Sequence, residues 1–324
     1  MVFFTVVIPV KRINNYVIEN IQAIQRQSYQ NWELIVVTDF EEFRDWSDSR
    51  IMTVSSGEVS PAIKRDLAAR FARGEYLVFL DDDSYIENNY FKNALELIAD
   101  SDVKVFGGPA ITPSDDSVWQ KTSGACYELR LLSSSPSRYR PIGKIRKVLD
   151  WPSVNLIVYK PIFQSVGGFG NEYWPGEDSK FCEKLNSQNI SIWYSPDLIV
   201  YHHRRRSLRA HLKQSSNYGK HRGRFARDGD VNSTSLLFAI PFIFLFYCVL
   251  ITLLFLLEVK SGVLYVPLFL YFVALFSSAL NTYFRWGLIV SFLVILYLPL
   301  THFVYGLSYA RGYFHRHFKS ELRS

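Results

Sequence analysis

The 324-residue chain carries 36 Lys and Arg against 30 Asp and Glu, a net charge of +6, and 48% of its residues are hydrophobic. Its mean hydropathy is near zero only because two unlike parts average out, roughly 235 residues of mixed character and then an almost wholly apolar C-terminal third, which excludes a single soluble globule. Three scattered cysteines, Cys126, Cys182 and Cys248, argue against a disulfide framework or a zinc site and fit a reducing compartment.

The opening run FFTVVIPV is a short β-branched and aromatic strand ending at Pro9, with no basic segment ahead of it, so it does not read as a secretory signal. In the segment that follows, Val17, Ile18, Ile21 and Ile24 recur at helical spacing. WELIVVTD is a second strand ending at Asp39, and RIMTVSS a third. SPAIKRDLAARFARG reads as a helix with Pro61 in its first turn and Gly74 past its last. EYLVFL closes the series and runs into Asp81, Asp82 and Asp83, with a further helix expected from near Asn88. Strands alternating with helices at these intervals predict βαβ units and a parallel sheet covered on both faces. Ligands bind such sheets beyond the carboxyl ends of the strands, where Pro9, Asp39 and Asp81 fall. Three adjacent carboxylates there read either as a solvated, helix-capping loop or as ligands for a hard divalent cation.

The less regular stretch from residue 88 to 235 holds VFGGPAITP, the basic loop SSSPSRYRPIGKIRK, the apolar strand VNLIVYK, and VGGFGNEYWPGEDSKFCEKL. Gly167, Gly168 and Gly170 predict a turn whose backbone comes close to something. Glu177 and Asp178 open a helix on which Phe181 and Leu185 share a face, a position where acids also suit the macrodipole. Between Tyr201 and Arg227 there are seven Arg, two Lys, four His and no acid. Placed directly before a hydrophobic span, this segment reads as binding a membrane surface or phosphate rather than nucleic acid. Residues 236–257, 263–280 and 287–307 are three candidate membrane helices, and 311–324 is a basic tail.

The ordered set VVIPV, WELIVVTD, KRDLAARFARGEYLVFLDDD, the glycine pair near residue 107 and GGF…GED near residue 170 resembles the family 2 glycosyltransferases of GT-A fold, over residues 3–225. The segment HLKQ…YG..R and the helices after it resemble the membrane-bound members that build bacterial polysaccharides or glycolipids. The resemblance implies an α/β, Rossmann-like GT-A catalytic domain over residues 1–200, with a nucleotide-binding half at 1–87 and an acceptor half at 88–200. A basic amphipathic juxtamembrane segment at 201–235 and the membrane helices follow. It further implies an inverting enzyme of the inner membrane with a cytoplasmic catalytic domain. A sugar passes from a nucleotide diphosphate donor to a hydroxyl of a lipid-linked or glycan acceptor, with magnesium or manganese as cofactor.

By the same resemblance Asp83 touches the metal and Asp81 the metal shell or ribose, with His202 or His203 as a further ligand. Asp178 is the base and Glu177 its neighbour on the acceptor. Pro9, Asp39 and Lys64 serve the donor's base and ribose. Arg206, Gln214 and Arg222 belong to the segment that related synthases bring toward the donor. Two departures bear on the nucleotide: Asp39 is followed by Phe-Glu-Glu instead of a second acid and a glycine, and the usual Arg-Asn of the next helix is Arg65-Asp66. Other readings are a polyprenyl-phosphate sugar synthase, whose acceptor is the lipid phosphate, and a non-catalytic membrane partner. A transporter fits poorly, since the spans hold almost no ionisable residues. Three crossings from a cytoplasmic start place the tail outside, although Arg311, Arg316, Lys319 and Arg323 favour the inside. Span length favours three crossings.

Overall fold

A computed structural model describes residues 2–101, 103–133, 135–170, 173–259 and 261–315. Of the basic tail 311–324, residues from 316 onward lie outside the described residues. The two opening apolar runs form strands β1 (Phe4–Pro9) and β2 (Trp32–Thr38), each buried along its whole length, as central strands covered on both faces must be. Between them lies helix α1 (Asn15–Gln25), capped by Asn14, whose side chain accepts from the backbone N–H of Tyr16 and Val17. Strand β3 (Ile51–Ser55) leads to α2 (Pro61–Phe71), which Ser60 caps and Pro61 starts. Strand β4 (Tyr76–Leu80) is fully buried. A short strand, β5 (Ser84–Ile86), intervenes before α3 (Tyr90–Ser101), so the helix expected from Asn88 begins slightly later.

Next come β6 (Val105–Gly107), β7 (Ala110–Ile111) and α4 (Val118–Glu128). Then follow β8 (Arg146–Val148), β9 (Asn155–Tyr159), α5 (Lys160–Ser165), α6 (Glu177–Ser187), β10 (Ile192–Tyr194) and β11 (Val200–His202). Among the described residues one sheet has the order β3-β2-β1-β4-β9-β6-β10-β8, and a smaller one the order β5-β11-β7. β1 is parallel to β2 and β4, and β2 to β3. The parallel sheet predicted from the βαβ spacing therefore holds across β3-β2-β1-β4, and the other half is mixed, with β10 parallel to β6 but antiparallel to β8. β9 runs antiparallel to both β4 and β6.

Long-range side-chain bonding fixes that insertion. Asn155, opposite Leu80, accepts from Tyr90 Oη at 2.7 Å and donates to the Leu198 carbonyl at 2.7 Å. The glycine pair leaves room for this junction, because a Cβ on Gly108 would lie 1.9 Å from the Leu198 oxygen. One apolar cluster fills each face of the large sheet: Val6, Ile8, Leu34 and Val78 on one side, Val7, Ile35, Leu77 and Phe79 on the other.

These sheets and their helices form a compact unit of residues 2–111 and 137–203, whereas residues 112–136 group with the chain from Arg204 onward. The segment carrying α4 thus leaves the span 88–200 that the sequence assigns to one acceptor half. The second unit holds α4, α7 (Leu208–Arg227), α8 (Leu236–Leu256), α9 (Val266–Trp286) and α10 (Leu288–Phe314). Its core joins Ala125, Cys126 and Leu129 of α4 to Leu275 of α9 and Val290, Val294 and Leu298 of α10. Among the described residues three helical segments, Leu236–Leu256, Gly262–Trp286 and Leu288–Phe314, are long and apolar enough to cross a membrane.

Candidate functional site

The chain leaves the buried strand β4 into the triple acid and turns at once into β5, a turn closed by Ser84, whose Oγ donates to the Asp81 carbonyl at 2.8 Å. β11 then pairs antiparallel with β5, setting His202 opposite Ser84, and the His203 N–H donates to the Asp83 carbonyl at 2.9 Å. This register carries the His202 ring to the acids: its Nε2 lies 3.0 Å from Asp83 Oδ1. One ligand atom each from Asp81, Asp83 and His202 lie within 4.8 Å of one another. Two carboxylates and an imidazole suit manganese, and the carboxylates suit magnesium.

The neighbours on either side of these ligands face elsewhere. Asp82 accepts from Asn14 Nδ2 at 3.2 Å. His203, next to His202 on alternating backbone, meets Glu19 Oε2 at 2.9 Å and stacks on Tyr16 with centroids 4.5 Å apart. Of the two histidines expected as metal ligands, the structure brings only His202 to Asp81 and Asp83.

Helix α2 delivers two adjacent buried cations. Lys64 pairs with Asp39 and donates to the Val10 carbonyl, one residue past Pro9, so it ties the ends of β1 and β2 together. Burial lowers its pKa and Asp39 opposes the shift. Arg65 Nη2 donates to Asp81 Oδ1 at 2.7 Å and its Nη1 to Glu177 Oε1 at 2.9 Å. One guanidinium therefore links the acid cluster after β4 to the pair that opens α6. In the sequence Arg65 stands out only as part of a motif. Buried Ala62, Arg65, Ala68 and Ala69 share the inward face of α2, and an Arg on such a face signals carboxylates to meet it.

α6 begins after Gly176, which has φ 110°. Glu177 is buried and Asp178 half-buried. Burial and the Asp178 charge push the Glu177 carboxyl up to about 7, against the pull of Arg65. Beside them Asp150 pairs with Arg138 at 3.1 Å and accepts from Ser179 Oγ at 3.1 Å. The Asp178 charge also acts on Arg138, so this ion pair borders the candidate base.

Asp66, the departure from the usual Asn, faces the glycine turn. Its two carboxylate oxygens accept from the N–H groups of Phe169 and Gly170, both at 2.8 Å. Gly168, at φ 60°, passes so close that a Cβ there would sit 2.5 Å from Asp66 Oδ1. The partner that the glycines approach is thus a side chain of this chain.

The remaining candidates lie in the second unit. Arg206 is exposed just ahead of α7. Gln214 donates to Tyr218 Oη at 3.2 Å. Arg222 donates to the Asn232 carbonyl and to Ser233 Oγ, both at 3.0 Å, and covers the Phe238 ring, so it fastens the turn between α7 and α8.

Residues 5–155 match the family described as Glycosyl transferase family 2. Over these residues the chain is a family 2 glycosyltransferase. A relative named dolichyl N-acetyl-alpha-D-glucosaminyl phosphate 3-beta-D-2,3-diacetamido-2,3-dideoxy-beta-D-glucuronosyltransferase, from Methanococcus voltae, is 22% identical over 269 residues, 76% of this glycosyltransferase and 80% of the relative. The poly(ribitol-phosphate) beta-N-acetylglucosaminyltransferase TarS of Staphylococcus aureus is 26% identical over 109 residues, 30% of this chain and 19% of its own. Among solved structures, the mannosyltransferase PcManGT of Pyrobaculum calidifontis, in complex with GDP-Man and Mn2+, aligns with a TM-score of 0.59 at 17% identity, over 94% of this chain and 86% of that one. GalNAc-T7 with UDP, GalNAc and Mn2+ aligns with a TM-score of 0.50 at 12% identity, over 68% of this chain and 51% of that one. The likeness to these structures establishes the GT-A fold of the glycosyltransferase.

Proposed function

We propose that this glycosyltransferase is an inverting, metal-dependent enzyme that moves a sugar from a nucleotide diphosphate to a hydroxyl of a lipid-linked or membrane-proximal glycan. The observation that carries the reading is the grouping of Asp81, Asp83 and His202 at the end of β4, joined through Arg65 to Glu177 beside Asp178. A divalent cation held by Asp81, Asp83 and His202 would offset the charge that builds on the leaving diphosphate. Asp39, oriented by Lys64, accepts a hydrogen bond from the donor's base or ribose, and Pro9 borders the same strand end. Asp178 takes the proton of the acceptor hydroxyl on the face of the sugar opposite the leaving group. Glu177, held by Arg65, fixes the acceptor beside it.

The name of the Methanococcus voltae relative describes a lipid-linked sugar as acceptor, which favours a hydroxyl acceptor here over a bare lipid phosphate. Both structural neighbours hold a nucleotide ligand together with Mn2+, in line with the carboxylate and imidazole donor set. The apolar C-terminal helices keep the enzyme at its membrane, and the basic segment 201–227 favours a cytoplasmic catalytic domain.

Membranes containing the enzyme are incubated with a panel of labelled nucleotide sugars in Mn2+ or Mg2+, and the lipid and glycan fractions are extracted. Label should enter one of them only with metal, and Asp83→Ala should abolish it while the protein stays folded. Undiminished transfer in excess chelator overturns the metal reading.

A further inference from the structure

Helix α10 contrasts with α8. The 21 residues of α8 match a bilayer, and only 6% of its most apolar stretch is buried. α10 has 27 residues, a length of about 40 Å, and 33% of its most apolar stretch is buried. Of its buried positions, Val290, Ser291, Val294, Tyr297, Leu298, Thr301, Ser308, Tyr309 and Gly312 recur at helical spacing and form one face, while Gly306 lies to the side of it, against α8.

Polar helices cover that face from end to end. Over its first half, Val290, Val294 and Leu298 join Ala125, Cys126 and Leu129 of α4, a helix that also carries Gln120, Lys121 and Glu128. From Thr301 onward α7 runs beside it in the same direction. His211 Nε2 meets Thr301 Oγ1 at 2.8 Å and Ser216 Oγ meets Ser308 Oγ at 2.8 Å. A Cβ on Gly312 would lie 1.9 Å from the Lys220 carbonyl, and Arg227 Nη1 donates to the His315 carbonyl at 2.6 Å.

Any crossing by α10 would draw these helices into hydrocarbon. Lys213, Lys220, Arg222, Arg224 and Arg227 of α7 would descend with its second half, or Lys121 and Glu128 of α4 with its first. Each Lys or Arg at the bilayer centre costs roughly 2.5–3.5 kcal/mol. The ends of α10 also lie on one side. It begins where α9 stops on α4, with Arg285 Nε 3.3 Å and Trp286 Nε1 3.4 Å from Glu128 Oε2. It finishes beside the first turns of α8, which follow directly on α7: a Cβ on Gly306 would lie 2.7 Å from the Pro241 carbonyl, and Phe242 stacks on Tyr309.

The opposite face of α10 is an exposed apolar stripe of Phe292, Leu296, Leu300, Phe303 and Leu307, at steps of three and four residues. It adjoins α8 and α9, whose outer residues are lipid-facing on the membrane reading above, so the occupant that fits it is the acyl boundary of the same leaflet. We infer that α10 does not cross but lies in the membrane interface on the side of α7, its buried face on α4 and α7 and its apolar stripe in lipid. This rests on the membrane reading and replaces the three crossings that span length suggests. The tail, with Arg311, Arg316, Lys319 and Arg323 against Glu321, then stays on the side of the basic segment, as the positive-inside rule requires.

Single cysteines at Phe292, Leu300 and Leu307 test this in the full-length enzyme, reconstituted in phosphatidylcholine–phosphatidylglycerol vesicles. Half-exposed Cys248 is replaced by Ala, while Cys126 and Cys182 are buried and remain. An environment-sensitive fluorophore on each cysteine is quenched by nitroxides placed at graded depths in the lipid. Three equal, shallow depths support the inference. A helix that crosses would separate positions 292 and 307 by about 22 Å, with 300 deepest, and that gradient overturns it. Absence of quenching at all three also overturns it, provided that a probe at Phe246 of α8 is quenched. Lack of quenching at Phe246 itself defeats the underlying membrane reading instead. Leu296 and Phe303 form a second pair for any position whose substitution unfolds the protein.

Discussion

Arg65 Nη1 lies 2.9 Å from Glu177 Oε1, and both side chains are shielded from water, the Arg 2% and the Glu 7% exposed. The other nitrogen of the fork is on Asp81, so this guanidinium sets the distance between the acids after β4 and the pair that opens α6. A buried charge is tolerable when it is paired, and losing one partner of such a pair costs roughly 3–5 kcal/mol.

Arg65→Lys should therefore keep a positive charge but not the link, because an ammonium lacks the planar fork that engages two carboxylates. Turnover is expected to fall about 10²-fold, equal to about 2.7 kcal/mol of transition-state stabilisation, with a smaller change in donor affinity. Steady-state kinetics with varied donor check this. A fall in thermal stability with unchanged kcat would make Arg65 a structural residue only.

Glu177 gives a pH signature. Its carboxyl is raised from 4.5 to about 7 in the fold, so the native state holds a proton that the unfolded chain releases between these values. Stability from this residue is complete below about pH 4.5 and is lost as pH rises toward and through 7. Glu177→Gln removes the titration, and its unfolding free energy should be flatter over that window by up to about 1.4 kcal/mol per pH unit. Chemical denaturation of both proteins at pH 5, 6, 7 and 8 tests it. Parallel curves would place the titration elsewhere.

The two adjacent histidines should behave differently. His202→Ala removes the imidazole beside Asp83, and the metal concentration for half-maximal transfer should rise by roughly 10- to 100-fold. His203→Ala removes a partner of Glu19 and a stacking face for Tyr16, and the metal requirement should not move. Metal titrations of both variants distinguish them, and equal shifts would contradict the assignment.

The contrast between these histidines shows where the sequence stops being legible. Alternation along a strand sends neighbours to opposite sides, but which of them faces the acids depends on the pairing of β11 with β5, more than a hundred residues apart in the chain. Strands β1, β2 and β4 and helix α2 are legible because their patterns are local, and the acids at 81–83 and 177–178 because a family resemblance names them. The Arg65–Glu177 bond spans 112 positions and leaves no local periodicity to read. The antiparallel entry of β9 is hidden for the same reason, since the side chains that fix it, Asn155 and Tyr90, carry no signal until they meet.

Asp66 holds the glycine turn, and its removal should act there. Asp66→Ala would leave the N–H groups of Phe169 and Gly170 without their acceptors, at a cost of roughly 1–3 kcal/mol. The variant should melt at a lower temperature yet bind the nucleotide diphosphate with unchanged affinity. Calorimetry of nucleotide binding is the check, and a loss of affinity well below the melting point would return Asp66 to the donor site.

Asp178 separates binding from chemistry. It sits at the first turn of α6, half-buried, beside a carboxyl that burial keeps partly protonated and next to the Arg138–Asp150 pair. A base at this position acts mainly in the transition state, so Asp178→Asn should lower turnover by roughly 10²- to 10⁴-fold. Nucleotide affinity should stay the same, since Asp39, Lys64 and the acids after β4 are untouched. Single-turnover transfer and equilibrium nucleotide binding, measured on the same preparation, decide it. If both fall together, Asp178 belongs to the donor site. If turnover barely changes, no hydroxyl proton is being removed there, and the acceptor is an already ionised lipid phosphate.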